Sequence, residues 1–384
     1  MKHAEQYRGF EQGPIRPPSE AESLLIRITR NCPWNRCTFC PIYKGEKFSL
    51  RPVEHIIQDI DAVRFYTDAI LEAAESGTQL SRRELKKLAA EGGPDDLRAF
   101  HAAYNFISGG MKSIFIQDGN SLIIKPKNII HILRHLRQSF PDVQRVTSYA
   151  RSHTIARISD DHLQEMADAG LNRIHIGMES GSDTVLKKVK KGSDKATQVL
   201  AGQKVKKAGI QLSEYIMPGL GGKELSEENA RESADALNQI NPDFIRLRTL
   251  ALPPTAPLTE QFKAGNFTKM GEVDTAAELL MFLEHLDGIT SYVKSDHVLN
   301  LFQEVDGKLP GDKEKMMQPI RAFLALEPKE QMLFSIGRRT HRMNTIDDLN
   351  DPVQRGYAQQ ICDEVGATPE NMDQVIDSIM QRFI

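Results

Sequence analysis

The sequence has little cysteine and no long apolar run. Four cysteines among 384 residues are too few for the disulfide scaffold of a small secreted domain. No stretch of about 18 apolar residues, the length of a membrane-spanning helix, occurs. The N-terminal segment also lacks the apolar core of a secretion signal. These absences predict a cytoplasmic protein that does not contact a membrane.

An excess of positive charge is also missing. The formal net charge is −3, with 26% charged and 40% hydrophobic residues. A protein that binds nucleic acid by neutralising phosphates needs a basic surface, so a nucleic-acid partner is disfavoured. The apolar share is that of a globular protein with a sizeable core.

Short runs rich in β-branched residues recur along the chain and predict six strands. These runs lie at 24–29, 112–117, 144–149, 172–178, 210–217 and 243–250. Amphipathic helices are predicted between them, as over 128–140, and Ser159 and Gly170 are typical of a helix start and a helix end. Because parallel strands need a crossover helix, this alternation predicts an α/β fold with a partial or full barrel of βα units.

The pattern predicts three parts along the chain. Residues 1–19 form an N-terminal arm, residues 20–252 form the barrel, and residues 253–384 form a C-terminal, mainly helical extension that caps it. The segment at about 67–110, rich in Glu, Lys, Arg and Ala, is predicted to be a helical insertion in the barrel.

Three of the four cysteines, Cys32, Cys37 and Cys40, follow the first predicted strand directly. In parallel βα barrels, active sites are built at that end of the strands. Three thiolates suit zinc or an iron–sulfur cluster. A structural zinc ion would need a fourth ligand, and no further Cys or His stands at the usual paired spacing. Zinc and three unrelated thiols in a turn stay open as alternatives.

The segment TRNCPWNRCTFCPIYKG resembles the radical S-adenosylmethionine (SAM) superfamily, whose three-cysteine loop carries an aromatic residue, here Phe39, before its last cysteine. The resemblance covers about residues 20–250 and is closest to the branch of oxygen-independent coproporphyrinogen oxidases and related Fe–S oxidoreductases. It implies a partial (β/α)6 barrel, with SAM and a [4Fe–4S] cluster on Cys32, Cys37 and Cys40 as cofactors. The spacing C-x4-C-x2-C is one residue longer than the commonest family spacing.

Two further segments resemble loops that contact SAM. Gln117-Asp118-Gly119 occupies the place of the family's Gly-Gly-Glu loop, which implies a contact with the amino group of SAM. A simple Asp-Gly turn is the alternative. Ser148 and Arg151, at the end of the third βα strand, are candidates for ribose or carboxylate contacts.

The next two strands carry more candidates from the same resemblance. Glu179 and Ser180 are implied to face the methionine or ribose part of SAM, and Gly177 permits close packing there. A structural salt bridge is the alternative for Glu179. Met217 and Gly219 belong to a segment that resembles the one packing beside the adenine in the family. A strand-to-helix turn is the alternative, and the two interpretations are compatible.

Candidate substrate residues follow at the sixth strand and in the extension. Arg246 and Arg248 have period two and hence share one face, which suits a carboxylate-bearing substrate, with internal ion pairing as the alternative. Asp296 and His297 are candidates for proton transfer, with helix capping as the alternative. Cys362 is expected to be a small buried hydrophobe.

The resemblance implies a radical SAM enzyme, an oxidoreductase-like protein whose reduced cluster cleaves SAM to a 5′-deoxyadenosyl radical. That radical abstracts hydrogen from a small organic substrate, and the electron comes from a donor such as flavodoxin or ferredoxin. Two alternatives stay open. One is a cluster- and SAM-binding protein that handles a tetrapyrrole or another cofactor without turnover, and the other is an RNA-modifying radical SAM enzyme.

Overall fold

The computed structural model describes residues 5–77, 80–90 and 93–381. The predicted arm, the helical insertion and the C-terminal extension therefore each include a few residues outside the described part of the chain. The division into arm, barrel and extension stays a prediction.

The six predicted strands are all present. Within the described residues the strands are β1 (Leu24–Arg27), β2 (Thr29–Arg30), β3 (Ser49–Leu50), β4 (Ser113–Gln117), β5 (Arg145–Ala150), β6 (Arg173–Glu179), β7 (Gln211–Ile216), β8 (Phe244–Leu247), β9 (Tyr292–Lys294) and β10 (Asp306–Lys308). The sequence did not predict β2, β3, β9 and β10 as separate strands, because two or three residues are too short for a periodic pattern.

Helices separate the long strands, as the alternating pattern predicts. They are α1 (Val53–Glu75), α2 (Arg82–Ala90), α3 (Leu97–Ser108), α4 (Pro126–Ser139), α5 (Ser152–Ile155), α6 (Asp160–Asp168), α7 (Asp183–Lys188), α8 (Lys195–Lys207), α9 (Ser226–Ile240), α10 (Pro257–Lys263), α11 (Glu272–His285), α12 (Lys313–Leu324), α13 (Pro328–Arg339), α14 (Pro352–Glu364) and α15 (Met372–Met380). Ser159 caps α6 by accepting the N–H of His162, and Gly170 follows that helix with a φ of +101°.

The chain divides into two compact units. The first comprises Met1–Pro33, Gly45–Ile176 and Lys204–Gln211. Its parallel strands lie in the order β1-β4-β5-β6, and α1 packs against α3 and α4. All five residues of β4 are buried, as expected of a parallel strand covered on both faces.

The second unit comprises Trp34–Lys44, Gly177–Gln203 and Leu212–Ile384. Strands β7, β8 and β9 are parallel neighbours, and β10 is antiparallel to β9. Helix α11 packs against α9 and α12, and α13 packs against α14 and α15. Phe302, Phe323 and Phe334 form the aromatic centre of the extension, with ring centroids 5.4 to 6.1 Å apart.

Candidate functional site

The loop that carries Cys37 and Cys40 is held in place through its backbone. Both thiols are half-buried and form no disulfide. Between them, the Thr38 N–H donates to the carbonyl of Val189 at 2.9 Å, and the Thr38 carbonyl accepts the N–H of Leu258 at 2.8 Å. These two bonds fix the backbone on which both thiols are mounted.

The aromatic residue before the last cysteine is buried among apolar side chains. Phe39 is 9% exposed, and its cluster contains Val185, Val189, Met217, Leu220, Leu250, Leu258 and Phe267. Cys37 and Cys40 pack against the same cluster. Met217, the predicted neighbour of adenine, thus belongs to the apolar wall beside the two thiols. Such a wall limits the access of water to the sulfur atoms, which is one of the factors that set a cluster's potential.

Trp34 anchors the start of this loop. Its Nε1 donates to the carbonyl of Lys190 at 2.7 Å, and the guanidinium of Arg36 lies 5.1 Å from its ring centre. The ring lies so close to Gly192 that a Cβ there would be 2.4 Å from a ring atom. The additional residue in the cysteine spacing is therefore accompanied by a tryptophan that ties the loop to the segment after α7.

Glu179 makes the salt bridge that the sequence left as an alternative. Its Oε1 lies 3.0 Å from Nζ of Lys191, and the same ammonium lies 5.7 Å from the ring centre of Phe39. Cys37 Sγ is 4.0 Å from the carbonyl oxygen of Lys191. Gly177 leaves room for this pair, since a Cβ there would lie 2.3 Å from Oε1 of Glu179 in its observed position.

Two charged residues of this region, Lys191 and Glu214, were not predicted from the sequence. Lys191 stands in a lysine-rich run that is typical of a solvated surface, yet its side chain is 10% exposed. Glu214 on β7 is 1% exposed, and its Oε2 has no hydrogen-bond partner among the described residues. Burial raises the pKa of Glu214 well above its ordinary value, while Lys191 opposes this shift and Glu179 adds to it. The sequence offered one signal for Glu214, namely a carboxylate residue inside a predicted buried strand.

Ser180 and its neighbours build the start of α7. The buried Ser180 hydroxyl accepts the N–H of Ser182 at 3.0 Å. Ser182 in turn caps the N–H of Val185 and donates to Glu228 at 2.6 Å. The N–H of Gly181 donates to Ser233 at 2.9 Å. The backbone N–H groups of Gly181, Ser182 and Val185 at this helix start are therefore engaged in internal bonds.

In the first unit, Asp118 is buried and neutralises an arginine. Its Oδ2 lies 2.8 Å from both Nε and Nη2 of Arg27 and accepts the N–H of Asn31 at 3.1 Å. Asn31 directly precedes Cys32, which is half-buried. Asp118 therefore supports the backbone beside the first cysteine of the triplet.

Gln117 holds the N-terminal arm of the same unit. Its Oε1 accepts the N–H of Gly13 at 2.7 Å, and its Nε2 donates to the carbonyl of Ile15 at 2.7 Å. A Cβ at Gly13 would lie 2.8 Å from Oδ1 of Asp118. The arm thus packs closely over the turn at which a SAM contact is predicted.

The remaining first-unit candidates lie at the ends of β4 and β5. Gly119 is half-buried in the turn after β4, and Asn120 links that turn to Arg151 by accepting its backbone N–H at 3.0 Å. Ser148 is fully buried, and its hydroxyl donates to the carbonyl of Tyr149 at 3.1 Å. The turn after β4 and the end of β5 are therefore joined, while the Ser148 hydroxyl is used within its own strand.

Gly219 is fixed by a carboxylate that the sequence did not indicate. Its N–H donates to Oε1 of Glu278 at 2.8 Å, and Nδ2 of Asn229 donates to the same oxygen at 2.8 Å. Burial raises the pKa of Glu278. Gly219 has a φ of +84°, a conformation that favours glycine.

The four predicted substrate residues lie in the second unit and interact. Nη1 of Arg246 lies 2.5 Å from Oδ2 of Asp296. Burial, together with the charge of Arg248, lowers the pKa of His297 to about 4. No helix begins next to residues 295–297, since the next helix along the chain is α12 at Lys313, so the helix-capping alternative is wrong.

A cavity of about 160 Å³ also lies in the second unit. It is bordered by Gly219, the segment after β8, and helices α10, α11 and α15, with Arg339 and Glu272 among its lining residues. These two form a buried ion pair at 2.7 Å. Cys362 on α14 is 1% exposed, and burial raises the pKa of its thiol to about 11, as expected for a small buried hydrophobe.

The described part of the chain contains neither a preformed metal site of His, Cys, Asp and Glu nor a membrane-spanning helix. In residues 5–77, 80–90 and 93–381, no three His, Cys, Asp or Glu side chains converge closely enough to hold a metal ion. None of the helices in these ranges combines the length and apolar character needed to cross a membrane.

The chain is similar to several curated archaeal proteins. It is 22% identical over 289 residues to a tRNA uridine(34) acetyltransferase of Methanocaldococcus infernus, which covers 71% of this chain and 51% of that protein. It is 24% identical over 208 residues to a putative methylthiotransferase of Methanocaldococcus jannaschii, covering 54% of this chain and 36% of that protein. The chain spans about half the length, or less, of these relatives.

Solved structures show more distant likenesses. Coproporphyrinogen III oxidase from Escherichia coli aligns with a TM-score of 0.46 and 17% identity, covering 69% of this chain and 52% of that one. Methylornithine synthase aligns with a TM-score of 0.42 and 12% identity, covering 71% and 65%.

The family model described as the radical SAM superfamily matches residues 26–234, more than half of the chain. The match confirms the predicted α/β fold class, a partial (β/α)6 barrel of this family with a mainly helical extension. It also confirms that the chain is an enzyme whose cofactors are a [4Fe–4S] cluster and SAM. The assignment of individual residues to these cofactors stays a prediction. This chain belongs to the radical SAM superfamily.

Proposed function

We propose that this enzyme holds one [4Fe–4S] cluster on Cys32, Cys37 and Cys40 and acts on a small organic substrate. The observation that carries the proposal is the fixed loop around Thr38, which mounts two thiols on an apolar wall. When bound, the reduced cluster supplies one electron that breaks the S–C5′ bond of SAM, giving methionine and a 5′-deoxyadenosyl radical that takes a hydrogen atom from the substrate.

The residues present fit such a cluster in their chemistry. Three thiolates are soft ligands suited to iron–sulfur clusters, and three rather than four leave one iron open for SAM. Phe39 and Met217 in the apolar cluster limit water beside Cys37 and Cys40. Cys32 follows Asn31, whose N–H is held by Asp118, so its backbone is also fixed.

Glu179 is proposed to bind the methionine or ribose part of SAM. Lys191 orients its carboxylate at 3.0 Å, and a charged acceptor forms stronger hydrogen bonds than a neutral one. Gly177 leaves the space beside it. Glu179 has a φ of +68°, so its backbone adopts a conformation that is uncommon for a residue other than glycine.

The other proposed SAM contacts are supported by their positions at or near the carboxyl ends of β4, β5, β6 and β7, where barrel active sites lie. They are Gln117, Asp118, Gly119, Ser148, Arg151, Gly177, Ser180, Met217 and Gly219. The internal bonds of Ser148 and Ser180 favour a supporting role for these two hydroxyls. In the first unit, the backbone of Gly119 is the candidate for direct contact with SAM, since glycine has no side chain to block the approach.

The finer placement beside the coproporphyrinogen oxidases stays a prediction, as does a flavodoxin or ferredoxin as the electron donor. The matched curated proteins are named as a tRNA uridine(34) acetyltransferase and a putative methylthiotransferase, not as coproporphyrinogen oxidases. Since one of them is named a tRNA uridine(34) acetyltransferase, RNA modification is the second candidate function. The formal net charge of −3 favours the small-molecule substrate over RNA.

The test uses anaerobically reconstituted protein reduced with dithionite. We expect about four irons per chain, because one cubane cluster is proposed, together with conversion of SAM to 5′-deoxyadenosine and methionine. Zinc in place of iron, or no SAM cleavage with any reductant, would overturn the proposal. A short transcript of a tRNA anticodon arm is added to the same assay to test the second candidate. An increase in 5′-deoxyadenosine formation would support RNA modification.

Matched cysteine variants locate the cluster. Cys37→Ala should lose most of the bound iron, since two thiolates hold a cluster weakly, and SAM cleavage should disappear with it. Cys362→Ala, at the buried position on α14, should keep both. Equal iron loss in the two variants would mean that the ligands are misassigned.

A further inference from the structure

Arg246 on β8 is a buried cation with unused donor capacity. Its side chain is 5% exposed, and one of its nitrogens, Nη1, is paired with Asp296 at 2.5 Å. The Nε atom has no hydrogen-bond partner among the described residues. A buried donor without a partner costs stability, so a further acceptor at this guanidinium would be favourable.

Arg248 follows two residues later and is exposed. No hydrogen bond or salt bridge of its guanidinium occurs within the described ranges, although its charge acts on the neighbouring His297. The neighbouring Lys294 is different, since it is paired with Asp306 at 2.7 Å. Arg248 therefore contributes a positive charge that no described side chain compensates.

His297 completes the group as a hydrogen-bond donor. Its Nδ1 lies 3.1 Å from the backbone nitrogen of Leu299 and accepts that N–H, so Nδ1 carries no proton. A neutral imidazole must then carry its proton on Nε2, and the pKa of about 4 keeps the ring neutral near pH 7. His297 is thus a donor at Nε2, and the role of a proton-accepting base at that atom does not fit this tautomer.

We infer that Arg246, Arg248 and the Nε2–H of His297 form a recognition site for a carboxylate group. Naming that carboxylate as part of the substrate rests on the proposed function; the binding itself does not. All three groups donate hydrogen bonds, and a carboxylate accepts several at once. Asp296 is a positioning residue that orients the buried guanidinium of Arg246.

The charge of the site favours a carboxylate over a phosphate. Arg246 and Asp296 cancel, His297 is neutral, and Arg248 leaves one net positive charge. A carboxylate carries one negative charge, whereas a phosphate monoester carries nearly two near pH 7. The planar guanidinium also matches a carboxylate in a bidentate arrangement.

The test measures binding of defined probes to the reconstituted enzyme without reductant. Benzoate and acetate are the carboxylate probes, and benzamide and acetamide are their neutral counterparts. We expect the carboxylates to bind about tenfold more tightly than the amides, the effect of a charge-assisted hydrogen bond. Nitrogen NMR of His297 should show the proton on Nε2, and benzoate should shift that signal.

Arg248→Gln should weaken benzoate binding about tenfold, and because Arg248 is exposed the variant should fold. Arg321→Gln, at an exposed arginine on α12, is the control for loss of one charge and should bind benzoate as the wild type does. Equal affinity for benzoate and benzamide would overturn the inference, as would Arg248-dependent binding of inorganic phosphate or oligouridylate that exceeds that of benzoate. Failure of SAM cleavage with carboxylate binding intact would refute the proposed function alone.

Discussion

The ammonium of Lys191 lies 3.0 Å from Oε1 of Glu179. Both side chains are at least 86% buried, since their exposed fractions are 10% and 14%. The backbone carbonyl of the same lysine approaches Cys37 Sγ. Lys191 therefore contacts a proposed cluster ligand through its backbone carbonyl and a proposed SAM contact through its ammonium.

Replacing Glu179 with Gln should weaken SAM binding without loss of iron. The charged acceptor is lost while its size is kept, and a hydrogen bond to a charged group contributes about 1–3 kcal/mol. Isothermal titration with SAM and an iron assay on the same preparation measure both quantities.

Glu224→Gln is the matched control for this change. Glu224 is 53% exposed and lies 3.7 Å from Lys188. Its replacement therefore removes a carboxylate that is paired with a lysine at the surface. Its SAM affinity should equal that of the wild type. If Glu179→Gln also binds SAM normally, Glu179 is restricted to the structural ion pair with Lys191.

His297 should make the stability of the protein depend on pH. Its folded-state pKa of about 4 lies below the ordinary value of 6.5. Below pH 6.5 the unfolded chain takes up the proton more readily, so the contribution of His297 is present above pH 6.5 and is lost as the pH falls towards 4. The free energy of unfolding of His297→Gln, measured by urea titration across that range, should fall less steeply than that of the wild type.

The exposed His131 on α4 provides the control for His297. His131→Gln should keep the wild-type pH dependence, because no buried environment is removed. Parallel curves for the wild type and His297→Gln between pH 6.5 and 4 would contradict the assignment of a neutral His297. They would also remove the tautomer argument for the carboxylate site.

Gly181 should not tolerate a side chain. A Cβ there would lie 2.2 Å from the carbonyl oxygen of Glu232 and 2.8 Å from Cα of Ser233, both in the backbone of α9. Gly181→Ala should therefore destabilise the protein by about 1–3 kcal/mol, the usual cost of overpacking. Gly356→Ala on α14 has open space around the new Cβ and should stabilise by up to about 1 kcal/mol. Thermal unfolding compares the two, and equal midpoints would show that α7 and α9 can separate.

The sequence predicted the elements better than the contacts between them. Strand β6 and the cap at Ser159 follow from local patterns, which a short stretch of sequence is enough to reveal. The partner of Asp118 could not be predicted, because Arg27 is 91 residues away in the chain and its position depends on the folded sheet. The roles of Lys191 and Glu214 were missed for the same reason, since only tertiary packing buries a lysine from a basic run.

The candidate substrate residues show which features a sequence pattern contains and which depend on the folded chain. Period two predicts a shared face for Arg246 and Arg248, whereas the structure pairs the buried Arg246 with Asp296 and leaves Arg248 exposed beyond the end of β8. A helical context was considered for Asp296 and His297, because Ser and Asp are common caps. The chain instead turns there, and the hydrogen bond from Leu299 to His297 sets a tautomer that no sequence pattern contains.

The last prediction concerns Asp118, whose buried carboxylate neutralises Arg27. Asp118→Asn should lower the free energy of unfolding by about 3 kcal/mol, since breaking a buried ion pair leaves a charge without compensation. The more distant Glu11, 3.9 Å from Arg27, keeps the cost at the lower end of the usual range. Asp68→Asn, in an exposed pair with Arg64, should cost no more than about 0.5 kcal/mol.

Chemical unfolding of these two variants and titration with SAM separate the two roles of Asp118. If Asp118 also contacts SAM, as proposed, the folded Asp118→Asn variant should bind SAM more weakly than Asp68→Asn does. A stability loss with normal SAM affinity would restrict Asp118 to holding Arg27 and the backbone before Cys32. Unchanged stability would contradict the ion pair itself, because an arginine that is only 14% exposed and loses its nearest counterion cannot be neutral to folding.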